Sequence, residues 1–299
     1  MLTPSNNASH SHANPFSNTF KEVLNRKLVF VLGKGGVGKS VVAESIAHSL
    51  SGRGKKTLLV TVEEPDAPTY QLTQVASQLW KINLEPFLAF KEFVGLKIGN
   101  RLLTEFFVNN RLIQYLAKAA PGIAGLVLLG KIWHERENFD HVVVDMPATG
   151  HGVAMFHATR NFSELFRSGR LEKDASGMIQ SFATPTETGF IILAIAEEMP
   201  LQEALELGEL MKTLFPENTP SFVANKLLPI NPAITHELKE KNLTSSENFL
   251  MKRLSFEQSN LKIWQDAGIQ YSSLFLEPDS PNANPSIVSL IEKQIEVHS

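Results

Sequence analysis

One octapeptide constrains this chain more than any other feature: Gly33-Lys34-Gly35-Gly36-Val37-Gly38-Lys39-Ser40. It satisfies G-x-x-x-x-G-K-[ST], and its neighbours supply the context that pattern needs. The run before it, Lys27–Leu32 (KLVFVL), is short, rich in Val, Leu and Phe, and stopped by glycine, so it reads as a buried strand of a parallel sheet. The residues after it, Lys39 to about Ser51, read as a helix ended by Gly52–Gly54, and Thr57–Val62 (TLLVTV) is a second buried strand. Strand, glycine loop, helix, strand is a βαβ unit with a right-handed crossover. Glycines let such a loop curl with its N–H groups inward, and the positive end of the next helix favours an anion there. Gly33, Gly35, Gly36, Val37, Gly38 and Val41 are assigned to the cradle, Lys39 to the β- and γ-phosphates, and Ser40 to Mg²⁺ through its hydroxyl. The expected ligands are ATP and Mg²⁺.

The rest of the chain extends this unit. From Pro68 to about Arg136 apolar residues recur three and four apart (Phe87, Phe90, Phe93, then Leu102, Leu103, Phe106, Phe107), which predicts an insertion of several short helices. His141–Asp145 (HVVVD) is a strand with an acid at its C-terminal end. Gly189–Ala196 is another strand, followed by a helix from Leu201 to about Leu214. Ser221–Ala224 is a strand leading to Asn225, Pro232–Ala267 is mostly helical, Ile269–Leu276 is a last strand and Pro285–Val297 a last helix. Alternating strands and helices predict an α/β fold with a doubly wound, mainly parallel sheet. The expected layout is one domain over residues 19–299, with a helical insertion at about 68–136 and a short helical segment at about 152–185. Residues 1–18, rich in Ser, Asn, His and Pro and lacking the apolar stretch of a signal peptide, read as a disordered tail.

Composition removes several function classes. A net charge of −3 gives no sign of a nucleic-acid binder, which usually carries a basic face. There is no cysteine, which rules out disulfides, thiolate-bound zinc and iron–sulfur clusters. No apolar run approaches the roughly 20 residues of a membrane span, so a cytoplasmic chain without membrane insertion is expected.

A second constellation is Asp145-Met146-Pro147-Ala148-Thr149-Gly150-His151. An acid at a strand's C-terminal end beside the loop is placed to hold Mg²⁺. Together these motifs carry a resemblance. The string GKGGVGKS resembles the deviant phosphate loop of the nitrogenase iron protein, the cell-division and chromosome-partitioning ATPases, and the arsenite-pump and tail-anchored-protein-targeting ATPases. In those families the extra lysine, here Lys34, reaches across a dimer interface to the partner's nucleotide. The Asp145–His151 stretch is similar to the second switch of the arsenite-pump and tail-anchor-targeting family (D-x-x-P-T-G-H), with Ala148 between Pro147 and Thr149. Asn225 matches that family's adenine-reading asparagine, and the likeness runs over about residues 26–295. It implies a P-loop ATPase acting as a homodimer, with Lys34, Lys39 and Asp145 catalytic, and Asp145 and His151 reporting the γ-phosphate.

The first switch departs from the family's Asp-Pro-Ala-His run. Here Glu63-Glu64-Pro65-Asp66-Ala67-Pro68 follows the second strand. Either Glu63, by alignment after the strand, or Asp66, by its neighbours, orients the attacking water, and the reading leans to Asp66. Without cysteine, thiolate capture of a metalloid and an interfacial zinc are both excluded. None of the 7 Met falls in the predicted insertion, which argues against a broad groove for a membrane helix. Phe87, Phe90, Phe93, Phe106 and Phe107 either line a smaller groove or pack within the insertion, and the reading leans to packing. The client is thus an unidentified protein or apolar molecule. Three other functions fit the same motifs. One is a membrane-surface organiser of the cell-division type, for which Ile287, Val288, Ile291 and Ile295 form an apolar stripe but Glu292 and Glu296 oppose Lys293. The others are a nucleotide-binding scaffold with little hydrolysis and a small-molecule ligase or kinase.

Overall fold

The computed structural model describes residues 18–62, 69–85, 88–89, 121–165, 170–228, 244–276 and 291–295. Its frame follows from the apolar runs. β1 (Leu28–Gly33) is buried along its whole length. It lies between β5 (His141–Asp145) and β6 (Thr188–Ile195), parallel to both. β2 (Thr57–Val62) pairs with β5 on the far side, and β7 (Ser221–Leu227) and β8 (Tyr271–Phe275) continue the parallel sheet beyond β6. The eight strands run in the order β3-β4-β2-β5-β1-β6-β7-β8, where β3 is Thr73–Ala76 and β4 is Leu79–Leu84. Among the described residues, only the β3–β4 pair is antiparallel. Strands buried on both faces read as continuous apolar runs rather than alternating ones, which is why β1, β2 and β5 are legible.

The two faces bury different helices. Val29, Val31, Leu59, Val143, Ile191 and Leu193 face α1 (Asn18–Leu24) and α2 (Lys39–Gly52). Ile291 and Ile295 pack into the same cluster, so the apolar stripe expected near the C-terminus is part of the core at those two positions rather than a free membrane face. Leu28, Phe30, Val60, Val144, Phe190 and Ile192 face the other way. That side holds α3 (Pro121–Glu135), α4 (Thr149–Leu165), α5 (Arg170–Ala183), α6 (Glu198–Leu214) and α7 (Ser245–Asp266). An aromatic cluster joins them to the sheet. Phe156 of α4 meets Phe30, Phe182, Phe190 and Phe215 edge-on, with ring centroids 5.3–5.7 Å apart.

The expected doubly wound sheet is present, with two corrections. The segment read as helical from Pro68 opens with strands: β3 and β4 occupy Thr73–Ala76 and Leu79–Leu84. Gln78 makes the turn between them with φ +57°, without the glycine or Asn-Gly that marks most hairpins. β4 is then held by its parallel pairing with β2, Thr57 opposite Leu79 through Val62 opposite Leu84. The end of that segment is helical, as α3, whereas Phe87, Phe90, Phe93, Phe106 and Phe107 lie outside the described residues. The helical segment expected at about 152–185 holds two helices, of 17 and 14 residues. Second, α1 was not anticipated. Phe20, Val23 and Leu24 bury its inner face, and Gly189 makes room for it: a Cβ there would lie 2.6 Å from Val23 Cγ1. Residues 1–17 lie outside the described residues. Among the described residues no helix is long and apolar enough to cross a membrane.

Candidate nucleotide site

The site forms at the C-terminal ends of the central strands, where ligands bind in open α/β sheets. β1 ends at Gly33, whose φ is +144° and whose Cβ, if it had one, would sit 2.5 Å from the carbonyl oxygen of Leu193 on β6. Only glycine permits that approach, and it lets the chain leave the sheet at once. Gly35 and Gly36 form the exposed crest of the loop, Val37 anchors it in the core, and Val41 is half-buried in the first turn of α2. Gly38 caps α2 with φ +96° and makes no side-chain cap bond. The first amides of a 14-residue helix are therefore left unclaimed by any capping side chain, with no acid in its first turn. That end carries partial positive charge and unsatisfied donors, the requirements for binding phosphate.

Three side chains hold the loop's shape. Lys39 Nζ donates to the carbonyl oxygen of Lys34 at 3.0 Å. Lys226 Nζ donates to that of Gly36 at 2.9 Å, and Asn225 Nδ2 to that of Val37 at 2.9 Å. Asn225 is buried within β7, which continues to Leu227 rather than ending at Ala224. Its neighbour Lys226 takes a left-handed φ of +59°, which accompanies a shift of register against β8. The sequence identifies Asn225 as a site residue but not Lys226, because nothing in the local pattern signals the left-handed lysine.

Beneath the loop lies a cleft of about 250 Å³, lined by Lys39, Ser40, Glu44, Thr61, Lys81 and Asp145 among others. Asp145 sits opposite Val31 of β1 on one side and Thr61 of β2 on the other, at the end of β5. Burial lowers the pKa of Lys39, and the nearby charge of Asp145 opposes that shift. The Ser40 hydroxyl and the Asp145 carboxylate supply hard oxygen donors on one cleft, a set that suits Mg²⁺. Glu44 is one helical turn beyond Ser40 and so was within reach of a periodicity argument. Lys81 was not, because its position depends on β4 pairing with β2.

Not every expected residue converges on the cleft. His151 is exposed on the first turn of α4, where its backbone N–H donates to the carbonyl of Ala148 at 3.0 Å. Lys34 does not line the cleft, and its ammonium is bound to Glu203 of α6 at 2.6 Å. Glu63 and Asp66 lie outside the described residues.

Comparison with known proteins gives the same direction. Residues 26–183, more than half of the chain, match the family described as anion-transporting ATPase. A putative ATPase of Mycobacterium bovis is 28% identical over 231 residues, which cover 68% of this chain and 66% of the relative. The match thus spans slightly less than two thirds of that protein's length. A putative arsenical pump-driving ATPase of Aquifex aeolicus is 25% identical over 284 residues, covering 75% of this chain and 90% of the relative. The ATPase get3 of Schizosaccharomyces japonicus is 24% identical over 262 residues, covering 72% and 79%.

Proposed function

The chain belongs to the anion-transporting ATPase family, and on that premise we propose that it hydrolyses Mg-ATP as a homodimer, a nucleotide-driven switch acting on a protein or apolar client. The observation that carries this reading is a cleft shared by Lys39, Ser40 and Asp145 under the uncapped end of α2. The loop amides and Lys39 hold the phosphates, and Asn225 braces the loop through Val37 while reading the adenine edge. Ser40 and Asp145 would hold Mg²⁺, which supplies charge neutralisation at the phosphate oxygens. Glu63 or Asp66 orients the attacking water. Lys34 stabilises charge on the partner's nucleotide, a cation supplied in trans. Motion of Asp145–Ala148 on loss of the γ-phosphate passes to α4, because the first turn of that helix, including His151, is hydrogen-bonded to Ala148.

Lys34→Ala is the test. The variant should bind a fluorescent ATP analogue within about threefold of the wild type yet lose phosphate release by about 10²- to 10³-fold, the usual effect of removing one charge-stabilising donor. Full turnover by Lys34→Ala would rule out a catalytic role for this lysine.

A further inference from the structure

Lys34 is expected to serve a partner's nucleotide, yet here it is engaged within its own subunit. Its Nζ lies 2.6 Å from Glu203 Oε1. The two residues are 169 positions apart, so this contact is made by the fold and not by local sequence. The second carboxylate oxygen, Oε2, is buried and has no hydrogen-bond partner among the described residues.

The two partners differ in how firmly their surroundings hold them. Glu203 sits on α6, which is held on several sides. Trp264 Nε1 of α7 donates to the carbonyl of Leu201 at 3.0 Å, near the start of the helix. Arg160 of α4 donates to the carbonyls of Thr213 and Leu214 at 3.0 and 3.2 Å, at its end. Midway, Gly208 packs so closely on Phe222 that a Cβ would lie 2.5 Å from the ring. Lys34, by contrast, lies on an exposed loop, and its side chain is 46% exposed. When this pair opens, the lysine moves and the carboxylate stays.

We infer that Glu203 is a latch on Lys34: it holds the ammonium out of the cleft in the free subunit and yields it to the phosphates of a partner's nucleotide when two subunits close. The inference rests on the trans-lysine reading above and adds a positioning residue to it. A partly exposed pair of this kind shifts an equilibrium by no more than about fivefold, weak enough for a polyphosphate to displace. Each dimer opens two latches, so the pair of them opposes closure by up to about 25-fold.

The experiment measures ATP turnover against protein concentration for the full chain, comparing wild type, Glu203→Gln, Glu203→Asp and Lys34→Ala. Glu203→Gln keeps the shape and removes the charge. The protein concentration giving half-maximal specific activity should fall by about two- to 25-fold. Glu203→Asp keeps the carboxylate and should stay near the wild-type profile, which a merely structural role for Glu203 would not require. If Glu203→Gln loses its cooperative thermal transition, Glu203→Ser replaces it under the same criteria. An unmoved or higher half-maximal concentration, with Lys34→Ala inactive, overturns the latch alone. Full activity of Lys34→Ala overturns the trans-lysine reading and the latch with it.

Discussion

Gly38→Ala tests the loop where its geometry is tightest. Gly38 has φ +96° and ψ 23°, a region an L side chain enters at a cost of about 1–2 kcal/mol. The new Cβ would also lie 2.6 Å from Asn225 Nδ2. That amide is nearly fully buried and bonds the Val37 carbonyl at 2.9 Å, so displacing it forfeits a hydrogen bond worth about 1 kcal/mol. Together the penalty on the observed loop is about 2–3 kcal/mol, or about 30- to 150-fold in an equilibrium constant. It divides between two measurable quantities. Where the loop keeps its shape, the cost appears in unfolding free energy; where the loop relaxes, it appears in ATP affinity, since binding must restore the cradle. Chemical denaturation of the nucleotide-free protein and calorimetric titration with Mg-ATP measure the two parts, and their sum should equal the penalty. In an Asn225→Ala background the close contact is gone, and the penalty of Gly38→Ala should shrink to the backbone part alone, about 1–2 kcal/mol. ATP affinity within twofold of wild type, together with unchanged unfolding free energy, would refute the reasoning.

Two further perturbations follow from particular contacts. Lys39 has a folded-state pKa below its ordinary 10.5 because it is buried, so between the two values the unfolded chain binds the proton more tightly. Stability therefore rises with pH across that window; Lys39→Met should be the more stable protein at neutral pH, with its lead over wild type narrowing as pH climbs toward 10.5, and a pH-independent difference in denaturation would contradict this. Gly189→Ala drives a Cβ against Val23 of α1 at the end of β6 remote from the loop, as Gly189 pairs with Val29 while Leu193 pairs with Gly33. It should cost about 1–3 kcal/mol of stability while leaving ATP affinity within twofold, and a large change in affinity would contradict this assignment.

What the sequence reveals and what it hides divide along physical lines. β1, β2, β5 and the loop are legible because strands buried on both faces need unbroken apolar runs, and because Gly33 and Gly38 do what no other residue does there. Asp145 is legible because a strand-end acid after such a run has few other reasons to be there. The β3–β4 pair is hidden because Gln78 turns the chain without a glycine and Lys81 interrupts the apolar pattern of β4. α1 is hidden because seven residues are too few to show a helical period clearly. Lys81, Lys226 and Glu203 reach the site through β4, β7 and α6 respectively, so each needed a tertiary arrangement that one-dimensional spacing does not encode. The aromatic residues expected to pack within the insertion, and the two acids of the first switch, lie outside the described residues.

The central claim, that one subunit's Lys34 completes the other's ATP site, is tested most directly by mixing two inactive variants. Lys34→Ala retains the Lys39 cradle but offers no lysine to its partner; Lys39→Ala offers Lys34 but has no working cradle. In a mixed dimer the Lys34→Ala subunit receives the lysine of its Lys39→Ala partner, giving one complete site. Random assortment of equal amounts makes half the dimers mixed, so phosphate release should recover to about one quarter of the wild-type rate. A mixture as inactive as either variant alone would mean that Lys34 acts within its own subunit, and would contradict the account.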